Sequence, residues 1–253
     1  MTQSEQSPVD EPVSFDALMN QAQDLHEQGS FETAQEHWQQ AVNCAPDAIE
    51  KARAIRGDAA SAYQRGNEPY AREKAEAAFS IHDQVVEAST QFGGPNRLRG
   101  LRERAQSAGV LGRFVTASVA RRELSGELLT DDARTEANPG LTMLDSALRD
   151  IEMVEAETAA TDQYRINSLS HLAVGHSLYG DDYTAAYATE QARKIAWKSE
   201  NEPGVSFGRR ARAVVRAVVR AYSATAVHAL ATAEPSTRRT IALKIATHKR
   251  LGL

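Results

Sequence analysis

The stretch AQDLHEQGSFETAQEHWQQAVNCAP, Ala22 to Pro46, decides the fold. Ala22 and Leu25, with Leu18 ahead of them, lie on one face of a helix, because residues three and four apart are neighbours there. Ala34, Trp38 and Ala41 lie on one face of a second helix. Between the two stand Gly29 and Ser30, a residue free of Cβ strain and a helix N-cap, which is what a tight turn between two helices requires. Alanine at 22, 34 and 41 lets the backbones approach, while Leu25, Phe31 and Trp38 fill the remaining volume. Pro46 cannot continue the second helix, and Asp47 is placed to cap a third.

Downstream, Ala59, Ala62, Gly66, Ala71, Ala75 and Ala78 repeat the small-residue spacing, with Tyr70 and Phe79 beside the expected aromatic positions. Asn67 caps the second helix of this unit and Pro69 sits in its first turn. That helix runs toward Thr90, until Gly93, Gly94 and Pro95 break it. A long helix is expected from about Asn96 to Leu124, its glycines at 100, 109 and 112 allowing close packing or a kink. Residues 125–140 are acidic, end in Asn138, Pro139 and Gly140, and read as a loop that divides the chain. Helical periodicity resumes at Leu141 and runs to about Glu157, a third hairpin is expected over about Asp162 to Ser199, and two basic helices follow Phe207 and Pro235. The expected organisation is therefore a disordered leader over 1–13, helical repeats over 14–124, a linker over 125–140, and helical repeats with basic C-terminal helices over 141–253.

The order of small, large and breaker residues from Ser14 to Asp47 resembles the tetratricopeptide repeat, a helical hairpin of about 34 residues with an Ala, Phe, Pro pattern. Ala22 stands where that family usually has glycine, and Trp38 where it usually has Phe or Tyr. The resemblance implies an all-α protein whose hairpins stack as a right-handed α-solenoid. It also implies a concave groove, lined by the first helix of each hairpin, that takes an extended peptide or a partner helix. The matching positions here are Asp16, Met19, Gln23, His26 and Glu27 in the first unit and Arg53, Arg56, Ala60 and Tyr63 in the second. One branch of the family grips a terminal carboxylate with Lys and Asn at two of these places, but Met19 and Gln23 occupy them here, which disfavours that branch.

Composition agrees with helices. A chain of 253 residues with 6% aromatics and abundant alanine and charge favours an all-α protein over a sheet. The single cysteine, Cys44, excludes an intramolecular disulfide framework and a multi-cysteine metal site, and suits a reducing compartment. The first residues carry neither a basic region nor an apolar core, and no apolar run approaches a membrane span, so a cytoplasmic location is expected. There is no His-Glu-x-x-His, no phosphate-binding glycine loop and no serine elbow. His171 and His176 are five apart, a spacing that separates them around a helix, so no metal and no cofactor are expected. The expected function is that of a non-enzymatic interaction scaffold.

Charge is distributed unevenly. Residues 1–50 contain ten acids and no Lys or Arg, whereas residues 203–253 contain ten Lys and Arg and one acid, Glu234. Arg209, Arg212, Arg216 and Arg220 form a guanidinium stripe opposite Val214, Val215, Val218, Val219 and Tyr222. Such a stripe suits carboxylates of a partner or phosphates of nucleic acid. The expected partner is another protein or peptide, including a second copy of the chain joined through its acidic and basic ends. Nucleic-acid association through the stripe is the alternative, weakened by a pI of 5.8 and no aromatic reading motif. Light scattering at low and high salt tests the self-association: a complex held by the charged ends dissolves as salt rises, and a monomer under both conditions rules it out.

Overall fold

The computed structural model describes residues 13–92 and 96–157, together with residues 169, 172–173, 176, 183–184, 187–188 and 190–191. Among the described residues there are six named helices and no strand: α1 (Phe15–Glu27), α2 (Phe31–Cys44), α3 (Ala48–Gln64), α4 (Glu68–Phe92), α5 (Arg97–Ser125) and α6 (Thr130–Glu157). The all-α expectation is met there. The leader expected over residues 1–13 lies outside the described residues except Val13, as do the C-terminal Arg stripe and most of the hairpin expected over 162–199.

Local chemistry accounts for the boundaries. The Ser14 side chain accepts from the Ala17 N–H at 3.3 Å, and Asp47 accepts from the Glu50 N–H at 2.8 Å, each satisfying a donor of the first helical turn. Gly29, Gly66 and Gly126 have φ of 84°, 82° and 83°, a left-handed conformation that favours glycine. After each, the next N–H returns to a carbonyl five residues back: Ser30 to Leu25 at 2.9 Å, Asn67 to Ala62 at 3.0 Å, Glu127 to Arg122 at 3.0 Å. The same glycine-capped turn therefore closes α1–α2, α3–α4 and α5–α6.

The third of these hairpins corrects the reading of residues 125–140 as a linker. The loop is confined to 126–129, and α6 continues through Pro139. Ala133, Ala137, Gly140, Leu144, Ala147, Ile151 and Val154 alternate four and three residues apart and are all buried, so they form one continuous packing stripe. A proline inside a helix costs about 3 kcal/mol. Pro139 falls on the exposed side, where the carbonyl deprived of its N–H partner can be solvated, and the stripe offsets the remainder. Cys44, in the last turn of α2, is exposed rather than packed inside the hairpin.

Each helix packs on the next in sequence. In addition α1 contacts α3 and α3 contacts α5, whereas no Cα of α2 comes within 8 Å of α4, nor of α4 within 8 Å of α6. The odd-numbered helices thus form the more closely packed row. Small residues permit this. Leu18, Met19, Ala22, Ala34, Trp38, Ala41 and Ala54 form the first core, and Ala59, Ala62, Ala71, Ala75, Leu111, Phe114 and Val115 the second. A Cβ on Gly57 would lie 2.6 Å from the Trp38 ring, so the absent side chain makes room for the indole. A Cβ on Gly112 would lie 2.7 Å from the Gly140 carbonyl oxygen, and one on Gly140 would lie 2.9 Å from the Gly112 oxygen. The backbones of α5 and α6 meet at this pair. Gly112→Ala is expected to lower the unfolding free energy by about 1–3 kcal/mol in urea titrations, although alanine is the better helix former by about 1 kcal/mol. A neutral or stabilised variant would mean that the two helices do not cross there.

Candidate binding face of α1, α3 and α5

The groove positions expected from sequence have different fates. Asp16, Gln23 and Glu27 are exposed on α1, with the Gln23 side chain donating to Glu27 at 2.9 Å. Met19 is only 8% exposed and belongs to the hairpin core. His26 is half-buried, its Nδ1 2.9 Å from the Ser61 hydroxyl, which also accepts from the Trp38 indole N–H at 3.3 Å. Burial holds the His26 pKa below its ordinary value, Glu27 acts the other way, and Arg113 lowers it further. Arg53 pairs with Glu50 at 2.8 Å on its own helix. Arg56 is committed to α5: it pairs with Glu103 at 2.7 Å and donates to the Ser107 hydroxyl at 3.3 Å. Ala60 is half-buried, and Tyr63 stacks on Phe114 with ring centroids 4.2 Å apart and planes 6° apart. Arg209, Arg212, Arg216 and Arg220 lie outside the described residues.

Residues of α5 that the sequence did not single out complete this face. The Arg113 guanidinium lies 5.7 Å from the Tyr63 ring centroid and 5.8 Å from that of Phe114. Arg121 lies 5.3 Å from the Tyr63 ring, donates to its hydroxyl at 3.0 Å and pairs with Glu68 at 2.8 Å. The adjacent Arg113 and Phe114, a cation and an aromatic in a helix otherwise rich in small residues, were the available signal. Their meeting with Tyr63, fifty positions earlier, was not readable from spacing. Other arginines near the start of α5 are structural ties. Arg99 bridges Asp47 at 2.8 Å and Glu50, and Arg104 grips Asp150 through two bonds of 2.7 Å while reaching Asp83 at 2.8 Å.

Two polar networks lie behind the face. Asp58, buried on α3, accepts from Gln35 of α2 at 2.6 Å and from the Tyr70 hydroxyl of α4 at 2.7 Å; burial and this carboxylate push the Tyr70 pKa up to about 12. His82, 0% exposed on α4, has its Nε2 3.2 Å from the Ile49 carbonyl and its Nδ1 2.9 Å from the Ser107 hydroxyl. A carbonyl only accepts, so Nε2 carries the proton and Nδ1 accepts from Ser107. This serine–histidine contact has the elements of a nucleophile and base, and Ser107 is 1% exposed. Its work is to join α3, α4 and α5.

A cleft of about 460 Å³ lies between α4, α5 and α6, with Phe79, Leu111, Val115, Val119 and Met143 as its apolar lining. The ion pairs Arg72–Glu76 at 2.8 Å and Arg122–Glu136 at 2.7 Å also line it. Among the described residues no group of three or more His, Cys, Asp or Glu is placed to hold a metal ion, and no helix is long and apolar enough to cross a membrane. No family model, no curated protein and no solved structure matches the chain.

Burial, reinforced by Arg56, pulls the His82 pKa from 6.5 down to about 4. Between those values the unfolded chain binds a proton that the folded chain refuses, so stability falls as pH drops from about 6.5 to about 4. The loss attributable to this group is about 3 kcal/mol over the window. Urea unfolding of the wild type and of His82→Gln across this range measures it: the variant is expected to start less stable and to show a flatter pH slope. An unchanged slope would show that His82 is not the titrating group.

Proposed function

We propose that the chain is a helical-repeat interaction protein of the tetratricopeptide type, three of whose hairpins are α1–α2, α3–α4 and α5–α6. The observation that carries this reading is the contact pattern. First helices that touch one another, with second helices held farther apart, curve a stack toward the first-helix side. The three identical glycine-capped turns support the same repeat. On this reading the stack is a right-handed α-solenoid, and its concave face presents Gln23 and His26 from α1, Ala60 and Tyr63 from α3, and Val110, Arg113 and Ala117 from α5.

Such a face takes an extended peptide or a partner helix, and the chain acts as a non-enzymatic scaffold or adaptor. The free, exposed Cys44 suits a reducing compartment, and we place the protein in the cytoplasm. Photo-crosslinking from benzoylphenylalanine at Ala60 and, separately, at the exposed Glu73 of α4 tests the reading in lysate of the source cells. Protein adducts are expected from position 60 and not from position 73. Equal adducts from both positions, or adducts to nucleic acid, would overturn it.

A further inference from the structure

Arg113 differs from the other guanidinium groups around it. Arg53, Arg56, Arg65, Arg72, Arg99, Arg104, Arg121 and Arg122 each pair with a carboxylate. Arg113, near the middle of α5, has no carboxylate within ion-pair distance among the described residues. Its neighbours are the stacked rings of Tyr63 and Phe114, with centroids 5.7 Å and 5.8 Å away. Aromatic faces attract a cation, but they leave its N–H donors without acceptors. Arg113 as a residue is partly exposed, and desolvation of its guanidinium among the packed rings lowers its pKa from the ordinary value. Its field reaches across the face to His26 on α1. Ala60 and Ala117, one turn from Tyr63 and Arg113 on their own helices, are small and partly exposed, so the flanks of the cation are low.

The structure assigns to Arg113, with Tyr63 beside it, a carboxylate-binding subsite for an acidic peptide segment. A planar guanidinium offers a carboxylate two parallel N–H donors, and a site that excludes water strengthens both. The surroundings select a single negative charge rather than a polyanion. Asp16, Asp24 and Glu27 are exposed on α1, and Glu68 pairs with Arg121, so a string of phosphates extending from Arg113 meets repulsion from these carboxylates. The same chemistry accepts an Asp or Glu side chain or a peptide's terminal carboxylate. This proposal rests on the peptide-binding reading of the α1, α3 and α5 face and names what that face recognises.

Random heptapeptide libraries displayed on phage, one with free C-termini and one fused at both ends, are selected on the full chain and on Arg113→Gln, with circular dichroism to confirm that the variant is folded. Wild type is expected to enrich peptides with an acid at a constant position, at the terminus if the free library alone succeeds and at an internal Asp or Glu if both do. Synthetic versions of those peptides are expected to bind Arg113→Gln about tenfold more weakly or worse, with Arg113→Lys intermediate because it keeps the charge and loses the fork. Enrichment without an acidic position, or equal affinity for wild type and Arg113→Gln, overturns the subsite while leaving the peptide-binding face intact. No enrichment from either library overturns the peptide-binding reading and the subsite with it. A 20-mer of single-stranded RNA that binds at low salt and loses affinity in Arg113→Gln replaces the acidic peptide with a polyanion.

Discussion

Close approach of helix backbones is the constraint on which this structure depends. Alanine and glycine occupy most of the crossing points: Ala22, Ala34 and Ala41 in the first hairpin, Ala59, Ala62, Ala71 and Ala75 in the second, Gly112 and Gly140 in the third. At Gly112 and Gly140 there is no room for even one methyl group between the helices. An alanine core contributes less than a leucine core, since each buried methylene is worth about 0.8 kcal/mol. Position must therefore come from other contacts, and large side chains are few and specifically housed. Trp38, 4% exposed, lies against the bare backbone of Gly57.

Buried polar contacts supply the missing specificity at each junction. Ser61 links His26 of α1 to Trp38 of α2, and Asp58 links Gln35 of α2 to Tyr70 of α4. Arg56 and Glu103, with Ser107 and His82, join α3, α4 and α5, and Arg104 joins Asp83 of α4 to Asp150 of α6. Pairs of this kind add little net stability over well-packed apolar groups, but breaking one is strongly unfavourable, so they favour one register over its neighbours. They also absorb charges that would otherwise be free to meet a ligand. What remains on the α1, α3 and α5 face is a sparse set of groups that includes Arg113 and Tyr63, the latter stacked on the buried Phe114.

Much of the helical organisation was legible because it is written in local chemistry. Ser14, Gly29, Asp47, Gly66 and Pro69 mark their turns through caps and backbone preferences that operate over a few residues. The loop assigned to 125–140 failed for a related reason. Asn138, Pro139 and Gly140 are strong local breakers, yet the stripe from Ala133 to Val154 is longer than any local signal and buries its small residues against α5. Gly140 reads locally as a stop, but in the fold it is the contact surface for Gly112. Met19 and Arg56 show the same limit at the candidate site: helical phase places both on the groove side of their helices, but one packs inward and the other is captured by Glu103.

Periodicity, composition and capping residues were sufficient for an all-α chain of hairpins among the described residues, because helix formation and its termination depend on neighbours within about one turn. Which charges are spent on structure, and which stay available, could not follow from them. Arg56 and Arg113 look equivalent in the chain: both are cations on a small-residue helix. Glu103, forty-seven positions away, neutralises the first, while no carboxylate among the described residues approaches the second. That difference arises from how α3 and α5 meet, since electrostatic pairing depends on distance in space rather than along the sequence.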